Sequence, residues 1–484
     1  MAEDAAAPHV LLICYPGQGH INPMLRLAKR LATKGLLVTC SSSSIVRDKL
    51  AAASGVSAGG AGVPVGRGRL RFDFLDDPFD GTELDLHDFL HHLETSGPPA
   101  LAALLRRQAE AGRPVACVVG NPFLPWATDV AADAGVPAAV LWVQSCAVFS
   151  IYYHFAHGLV KFPREGDDAR LAIPGLPDLS AADVPSFLHA SHPYKVLGDT
   201  VQGQFRNMAR ASWVLVNSFA ELERDVLAAL PGVTPRPPRL IPVGPLVELG
   251  VGGQDEGDDG AGAAMRGDLI SAAEDCVAWL DAQAPRSVVY ASVGSIVMLP
   301  AEAVAEMAHG LAATGRAFLW VVRPDTRSLL PEGFILDGAV AAAGGGRGMV
   351  VPWSPQDRVL AHPAVACFLT HCGWNSTLET VAAGVPVVAF PQWGDQCTDA
   401  KFLVDDLRMG VHLRAPLRRE GVREAVDAVV AGSEADAMRA NARAWSATAR
   451  ATVALGGSSD LHVQAFVDEV SRRARGWQAE APAV

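Results

Sequence analysis

The sequence predicts an α/β protein of two domains, each a parallel sheet covered by helices on both faces, with a cleft between them. Three observations carry that reading. Short apolar, β-branched runs alternate with helix-period segments from end to end, the pattern of parallel sheets buried on both sides. The alternation breaks once, at a proline-rich stretch (235–245) followed by a Gly/Asp/Ala stretch (249–267) without periodicity, which is linker chemistry. Finally, 484 residues that are 50% hydrophobic and 19% charged suffice to core more than one domain and are too apolar for a disordered chain.

Taken in order, residues 9–15 read as a buried strand, 21–34 as an amphipathic helix and 36–40 as the next strand. Strands at 115–120, 138–142 and 213–217 follow, each leading into helix-like sequence. After the break the pattern restarts with strands at 287–292, 317–322, 349–352, 365–370 and 385–390. The expected boundaries are an N-terminal domain at 1–248, a linker at 249–268 and a C-terminal domain at 269–460. A terminal helix and tail (461–484) would pack back on the N-terminal domain. Glycine-rich 59–68 and 341–348 read as surface loops. Ligands of open parallel sheets bind at the carboxyl ends of strands, so the cleft is the expected site.

A net charge of −12 and a pI near 5.6 argue against nucleic acid or an anionic membrane, which want a basic face. They do not exclude a phosphate-bearing ligand, since helix N-termini bind phosphate without net positive charge. The eight cysteines are scattered and form no Cys-x-x-Cys pair. Cys367-Phe-Leu-Thr-His371-Cys372 comes nearest to a metal pattern, but its flanks are apolar and no second ligand cluster exists. Buried free thiols, no metal and a reducing compartment are expected. The N-terminus is acidic where a secretory signal is basic, and no apolar run approaches 18 residues, so a cytoplasmic protein with no membrane span is expected.

The first strand ends in Tyr15-Pro16-Gly17-Gln18-Gly19-His20, and a helix follows. A dinucleotide fingerprint fails here twice. Position 22 is Asn where a third glycine is needed, and the second strand ends in Thr39-Cys40-Ser41 with no acid for a ribose. His20 sits at the cleft rim, where a helix N-terminus disfavours imidazolium and keeps the ring neutral. It reads equally as a general base or as a helix cap without chemistry.

In the second half, the 365–370 strand turns through His371-Cys372-Gly373-Trp374 into a helix opening Asn375-Ser376-Thr377-Leu378-Glu379, which Gly384 stops. Small polar residues at that helix start expose N–H groups to an anion, with His371 and Asn375 as added donors. Ser376 and Glu379 also have capping-box spacing and could cap each other.

The run from Trp353-Ser-Pro-Gln356 through His371–Glu379 to Pro391-Gln-Trp-Gly-Asp395-Gln396 resembles the 44-residue donor signature of plant UDP-sugar glycosyltransferases. The Pro16-Gly-Gln-Gly-His20 run is similar to that family's acceptor-side motif. The resemblance implies the GT-B fold of two Rossmann-like domains, with the acceptor on the N-terminal one. It implies Trp353 stacked on uracil, Gln356 on the uridine and Glu379 on the ribose hydroxyls. His371, Asn375, Ser376 and Ser295 would bind the diphosphate, and Trp374, Asp395 and Gln396 the sugar. No Asp-x-Asp occurs, so helix dipole and histidine would carry the leaving-group charge without a metal. Gln396 resembles the glucose-using members; UDP-glucose would be the donor substrate and no separate cofactor is expected.

One position departs from the family. Its base histidine commonly pairs with an aspartate at a later strand end, where this chain has Asn121. Asn can orient an imidazole but cannot stabilise imidazolium by charge. Asp129, the nearest acid, lies in a helix-like run and reads as structural. Asn121-Pro-Phe-Leu-Pro-Trp126, 141–146 and 185–189 resemble the branch that makes 1-O-glucose esters of aromatic carboxylic acids. Such an acceptor is ionised at neutral pH and needs a base less. The expected activity is therefore inverting glucosylation of a small aromatic acid by a monomer, with His20 abstracting or holding the acceptor proton. The acceptor pocket would draw on Phe123, residues 142–149 and the 160–195 segment. Phenol or flavonoid O-glucosylation is the alternative; outside the class, Asn121 leaves open a UDP-sugar-binding protein with little turnover.

Overall fold

The computed structural model describes residues 7–55, 59–78, 85–161, 168, 170–189, 192, 195–248, 269, 272–273, 275–336, 339–340 and 348–480. The expected linker at 249–268 and loop residues 341–347 lie outside them. Each half of the chain carries one large, mainly parallel sheet, as the alternating pattern requires. The first holds β1 (His9–Cys14), β2 (Leu37–Ser42), β3 (Val63–Val65), β4 (Gly68–Phe72), β5 (Val115–Gly120), β6 (Ala138–Trp142), β7 (Trp213–Val216) and β8 (Leu240–Pro242), in the order β3-β4-β2-β1-β5-β6-β7-β8. The second half contributes β9 (Val288–Ser292), β10 (Ala317–Val321), a small separate pair β11 (Ile335–Leu336) and β12 (Ala339–Val340), then β13 (Gly348–Val351), β14 (Val365–Thr370), β15 (Val387–Ala389) and β16 (Gly410–His412). Its main sheet runs β13-β10-β9-β14-β15-β16.

All six residues of β1, and all six of β14, are buried. A strand covered on both faces has no reason to alternate, so each is one apolar run. In the first sheet β1 lies between β2 and β5; in the second β9 lies between β10 and β14. Those are the points where the winding reverses, and the loops leaving their strands diverge and open a crevice. The sequence therefore places Tyr15–His20 and Asn121 at one switch point, and Ser295 and His371–Gly373 at the other.

Residues 59–68 correct the expectation of a surface loop. Val63–Val65 pairs antiparallel with Gly68–Phe72 at the sheet edge, and Gly66 turns the corner at φ 54°. A Cβ on Gly68 would meet the Leu36 carbonyl oxygen at 2.2 Å, so this glycine marks close backbone approach.

The last helix, Ser458–Glu480, returns to the first sheet. Val463, Phe466, Val467 and Val470 bury in the same core as β1 and the Gln18–Thr33 helix. Lys34 pairs with Asp460 at 2.6 Å, and Ser459 Oγ donates to the Gly244 carbonyl at 2.5 Å. All eight cysteines are free, seven of them buried. No described helix is long and apolar enough to cross a membrane.

Candidate functional site

A cleft of about 660 Å³ opens between the two switch points and is lined by both halves of the chain. On the N-terminal side the Gln18–Thr33 helix begins directly after β1, with Gly17 as its extended N-cap (φ −128°, ψ 143°). His20 lies in the first turn, held between rings: its centroid is 4.8 Å from Tyr15 and 4.6 Å from Phe123. Phe89 stands 6.0 Å from Tyr15, extending the aromatic wall. Burial pulls the His20 pKa down to about 4, so the ring is neutral at pH 7. Its Nδ1 is shut away from solvent, leaving Nε2 as the nitrogen open to the cleft. Asn121, one residue past β5, lies within hydrogen-bonding reach of the ring. The Asn121 Oδ1 accepts the Phe123 backbone N–H at 3.0 Å.

Two residues of this helix reach the other half of the chain. Pro23 has no N–H, so the Gly19 carbonyl lacks its helical donor. Asn375 Nδ2 takes that place at 2.8 Å. Arg26 donates to Glu379 Oε1 at 2.8 Å and to the Leu246 carbonyl at 3.1 Å.

On the C-terminal side, the turn after β14 puts Cys372 in the left-handed region (φ 64°) and starts the Trp374–Ala383 helix with Gly373 as N-cap. Helical bonding begins with Thr377 N to the Gly373 carbonyl, so the N–H groups of Trp374, Asn375 and Ser376 have no acceptor within the helix. His371 is wedged beside them. A Cβ on Gly294 would stand 2.4 Å, and one on Gly373 2.5 Å, from its Nε2. Burial lowers the His371 pKa to about 4 as well. Such a neutral ring can donate one hydrogen bond to phosphate oxygen, or gain a proton when an anion arrives.

Next to that helix start, Gln356 is fully engaged. Its Nε2 donates to Ser376 Oγ (2.8 Å) and Glu379 Oε2 (2.7 Å), and its Oε1 accepts from the Tyr290 hydroxyl (3.0 Å). Trp353 is half-buried against the β9–β14 core with part of its ring in the cleft. Asp395 is half-buried at the cleft wall, desolvation raises its pKa, and Gln144 of the opposite half lies in hydrogen-bonding reach. Gln396 Oε1 accepts the Gln392 and Trp393 N–H groups at 3.0 and 3.3 Å. The arrangement offers an aromatic face, a carboxylate and a helix N-terminus in sequence along one wall, opposite a histidine ringed by aromatics.

Known proteins share this architecture. The family model described as "UDP-glucoronosyl and UDP-glucosyl transferase" matches residues 263–442. A gallate 1-beta-glucosyltransferase of Quercus robur is 44% identical over 97% of this chain and 91% of its own length. A cinnamate beta-D-glucosyltransferase of Fragaria ananassa is 42% identical over 98% of this chain and 85% of its own. This chain belongs to the UDP-glycosyltransferase family. The crystal structure of Os79 from O. sativa in complex with UDP matches it with a TM-score of 0.80 and 33% identity, over 95% of this chain and 100% of that one. The GT-B architecture is thereby shown.

Of the twelve residues singled out in the sequence of this glycosyltransferase, eleven line the one cleft: His20, Ser295, Trp353, Gln356, His371, Trp374, Asn375, Ser376, Glu379, Asp395 and Gln396. Asn121 is buried outside the lining, within reach of His20. The capping-box alternative for Ser376 and Glu379 falls, because Gly373 is the N-cap and Ser376 Oγ accepts from Gln356. The Trp374 indole N–H is already donated to the Asn217 carbonyl at 2.7 Å, across the seam between the halves. Asp129 has the structural role expected, bonded to Asn207 and Arg210.

The expected acceptor pocket needs correction. Trp142 and residues 146–149 are buried in the core formed by β6, β7 and the Cys146–Ala156 helix; only Val143 and Gln144 of that stretch reach the cleft. Leu86, Phe89, Phe187 and Leu197 complete the lining. Within the 160–195 segment, 162–167, 169, 190–191 and 193–194 lie outside the described residues. Sequence reasoning also passed over Arg26. Its signal was one charge inside Met24-Leu25-Arg26-Leu27, an otherwise apolar helical run.

Proposed function

We propose that this chain is an inverting UDP-glucose-dependent glucosyltransferase that forms 1-O-β-glucose esters of small aromatic carboxylic acids. The observation that carries the reading is the acceptor side of the cleft: a neutral histidine between Tyr15 and Phe123, backed by an amide and not by a carboxylate. The aromatic wall suits a planar ring. Arg26 is the one Lys or Arg among the described residues lining the cleft, and it is engaged by Glu379 and Leu246. Gallate and cinnamate glucosyltransferases among the relatives support the same acceptor class.

In this reading Trp353 stacks on uracil, Gln356 meets the uridine and Glu379 the ribose hydroxyls. Ser295, His371, Asn375 and Ser376 surround the diphosphate, with the first-turn N–H groups aimed at it. Trp374, Asp395 and Gln396 border the sugar. A carboxylate oxygen attacks the anomeric carbon from the face opposite the diphosphate. The C–O bond to phosphate breaks, and its electron pair leaves with UDP toward the helix N-terminus and His371.

The test incubates the full chain with UDP-glucose and a panel of aromatic acids and phenols, following UDP release and product mass. Hexose adducts of the acids that mild alkali hydrolyses are expected; adducts formed only on phenols would overturn the acceptor class. Because a helix end supplies the positive charge, turnover should survive EDTA. Loss on chelation, restored by magnesium, would refute that account of the leaving group.

A further inference from the structure

The environment of Asn121 permits one orientation of its amide. The Phe123 backbone N–H can only donate, so the Asn121 atom 3.0 Å from it is the oxygen. The NH2 group is then the end left for His20. His20 Nδ1 and Asn121 Nδ2 are both buried, and neither has a hydrogen-bond partner among the described residues, each other included. An NH2 group cannot accept. A proton on Nδ1 would set donor against donor where water does not reach, whereas a bare Nδ1 can accept from the amide, which satisfies both orphaned atoms at once. A neutral imidazole has one N–H, which then sits on Nε2, facing the cleft.

We infer that Asn121 fixes His20 as the Nε2–H tautomer, so that His20 donates a hydrogen bond to an anionic acceptor and does not take a proton, which selects carboxylic acids over phenols. The inference deepens the aromatic-acid reading and rests on it. With Nε2–H on one carboxylate oxygen, the other attacks the anomeric carbon, and no proton changes hands. A phenol must lose its proton during attack, and a ring already protonated on Nε2 cannot receive it. A carboxylate at position 121 would reverse the order: one oxygen would keep the Phe123 N–H, the other would accept from Nδ1–H, and Nε2 would be bare. Asn121 is thus a positioning residue that acts through His20.

The test uses the full chain labelled with 15N-histidine, in which correlation spectra show which ring nitrogen bears the proton; His20→Gln assigns the signal. Nε2–H is expected in the wild type and Nδ1–H in Asn121→Asp. In parallel, Asn121→Asp should raise phenol glucosylation by about 10²-fold, the low end of general-base catalysis, and reduce ester formation. His20→Gln, which keeps a donor and loses any base, should retain much more ester formation than His20→Ala. Nδ1–H in the wild type, or parallel loss of ester formation in His20→Gln and His20→Ala, would overturn the inference. Nε2–H in a wild type that esterifies no aromatic acid would instead overturn the acceptor reading and leave the tautomer standing.

Discussion

Gly373 shows how little room the donor side leaves. Its φ of −60° suits any residue, so Gly373→Ala strains no backbone, yet the new Cβ would stand 2.5 Å from His371 Nε2. The imidazole must move. Displacement of a positioned group by about 1 Å costs on the order of 10²-fold in rate. A fall of that order in kcat/KM, with an unchanged melting temperature, is the expected outcome; full activity would mean that His371 need not sit where it does. Trp353 is the second residue to test. If its half-buried ring stacks on uracil, Trp353→Ala should weaken UDP binding by about 1–3 kcal/mol in titration calorimetry. Unchanged affinity would remove the ring from the base-binding role. Both sites were legible in the sequence, because each depends on a local motif: a strand end, a turn and a helix start in unbroken order. Gly294 and Gly373 themselves were not singled out, since only the fold shows that the same imidazole lies over both.

Between elements, two hydrogen bonds join the Gln18–Thr33 helix to the Trp374–Ala383 helix. The side chains of Arg26 and Glu379 are 11% and 9% exposed, so each charge relies on the other. Removing one partner of a buried pair typically costs about 3–5 kcal/mol. Glu379 keeps Gln356, so Arg26→Met should cost about 3 kcal/mol, the lower end of that range. Adding Glu379→Gln removes the stranded charge and should restore part of the loss in thermal melts. Equal losses in the single and double variants would show that packing of the Arg26 stem, and not charge, dominates. The sequence could not show this pair, because 353 residues separate its members and only the seating of one half on the other joins them. The same holds for Gln144 beside Asp395. Long buried strands such as β1, β5 and β14 were legible as apolar runs. Of the three-residue strands, β3 and β16 were too short to establish a period and β8 lies in the proline-rich stretch read as linker, whereas β15 was legible because it sits inside the longer apolar run 385–390. Trp142 misled for a related reason: it closes a strand whose residues alternate between two cores, and the apolar run did not tell that both faces are covered.

At the scale of the whole molecule, the acid side of the stability profile follows from buried imidazoles. Burial lowers His9, His20 and His371 from 6.5 to about 4. Above pH 6.5 neither the folded nor the unfolded chain protonates them. Between 6.5 and 4 the unfolded chain binds protons that the folded chain refuses, so stability is lost as pH falls through that window. Glu223, Asp395 and Asp399 are raised by burial and act in the opposite sense. The informative measurement is therefore a difference. His9→Gln keeps partners for the Arg113 carbonyl and Thr39 hydroxyl, and should flatten the fall in melting temperature between pH 6.5 and 4. An identical slope in both proteins would mean that His9 takes up protons in the folded state. One further consequence belongs to Pro23. By denying the Gly19 carbonyl its helical donor, the proline turns a backbone atom into the anchor that Asn375 holds. A seam fastened to main chain is blind to most side-chain change, so the acceptor half can diversify while the donor half stays as it is. Hybrids that join an acceptor half from one relative to a donor half from another should therefore keep this fastening wherever the proline and the asparagine survive, whatever else the parents have altered.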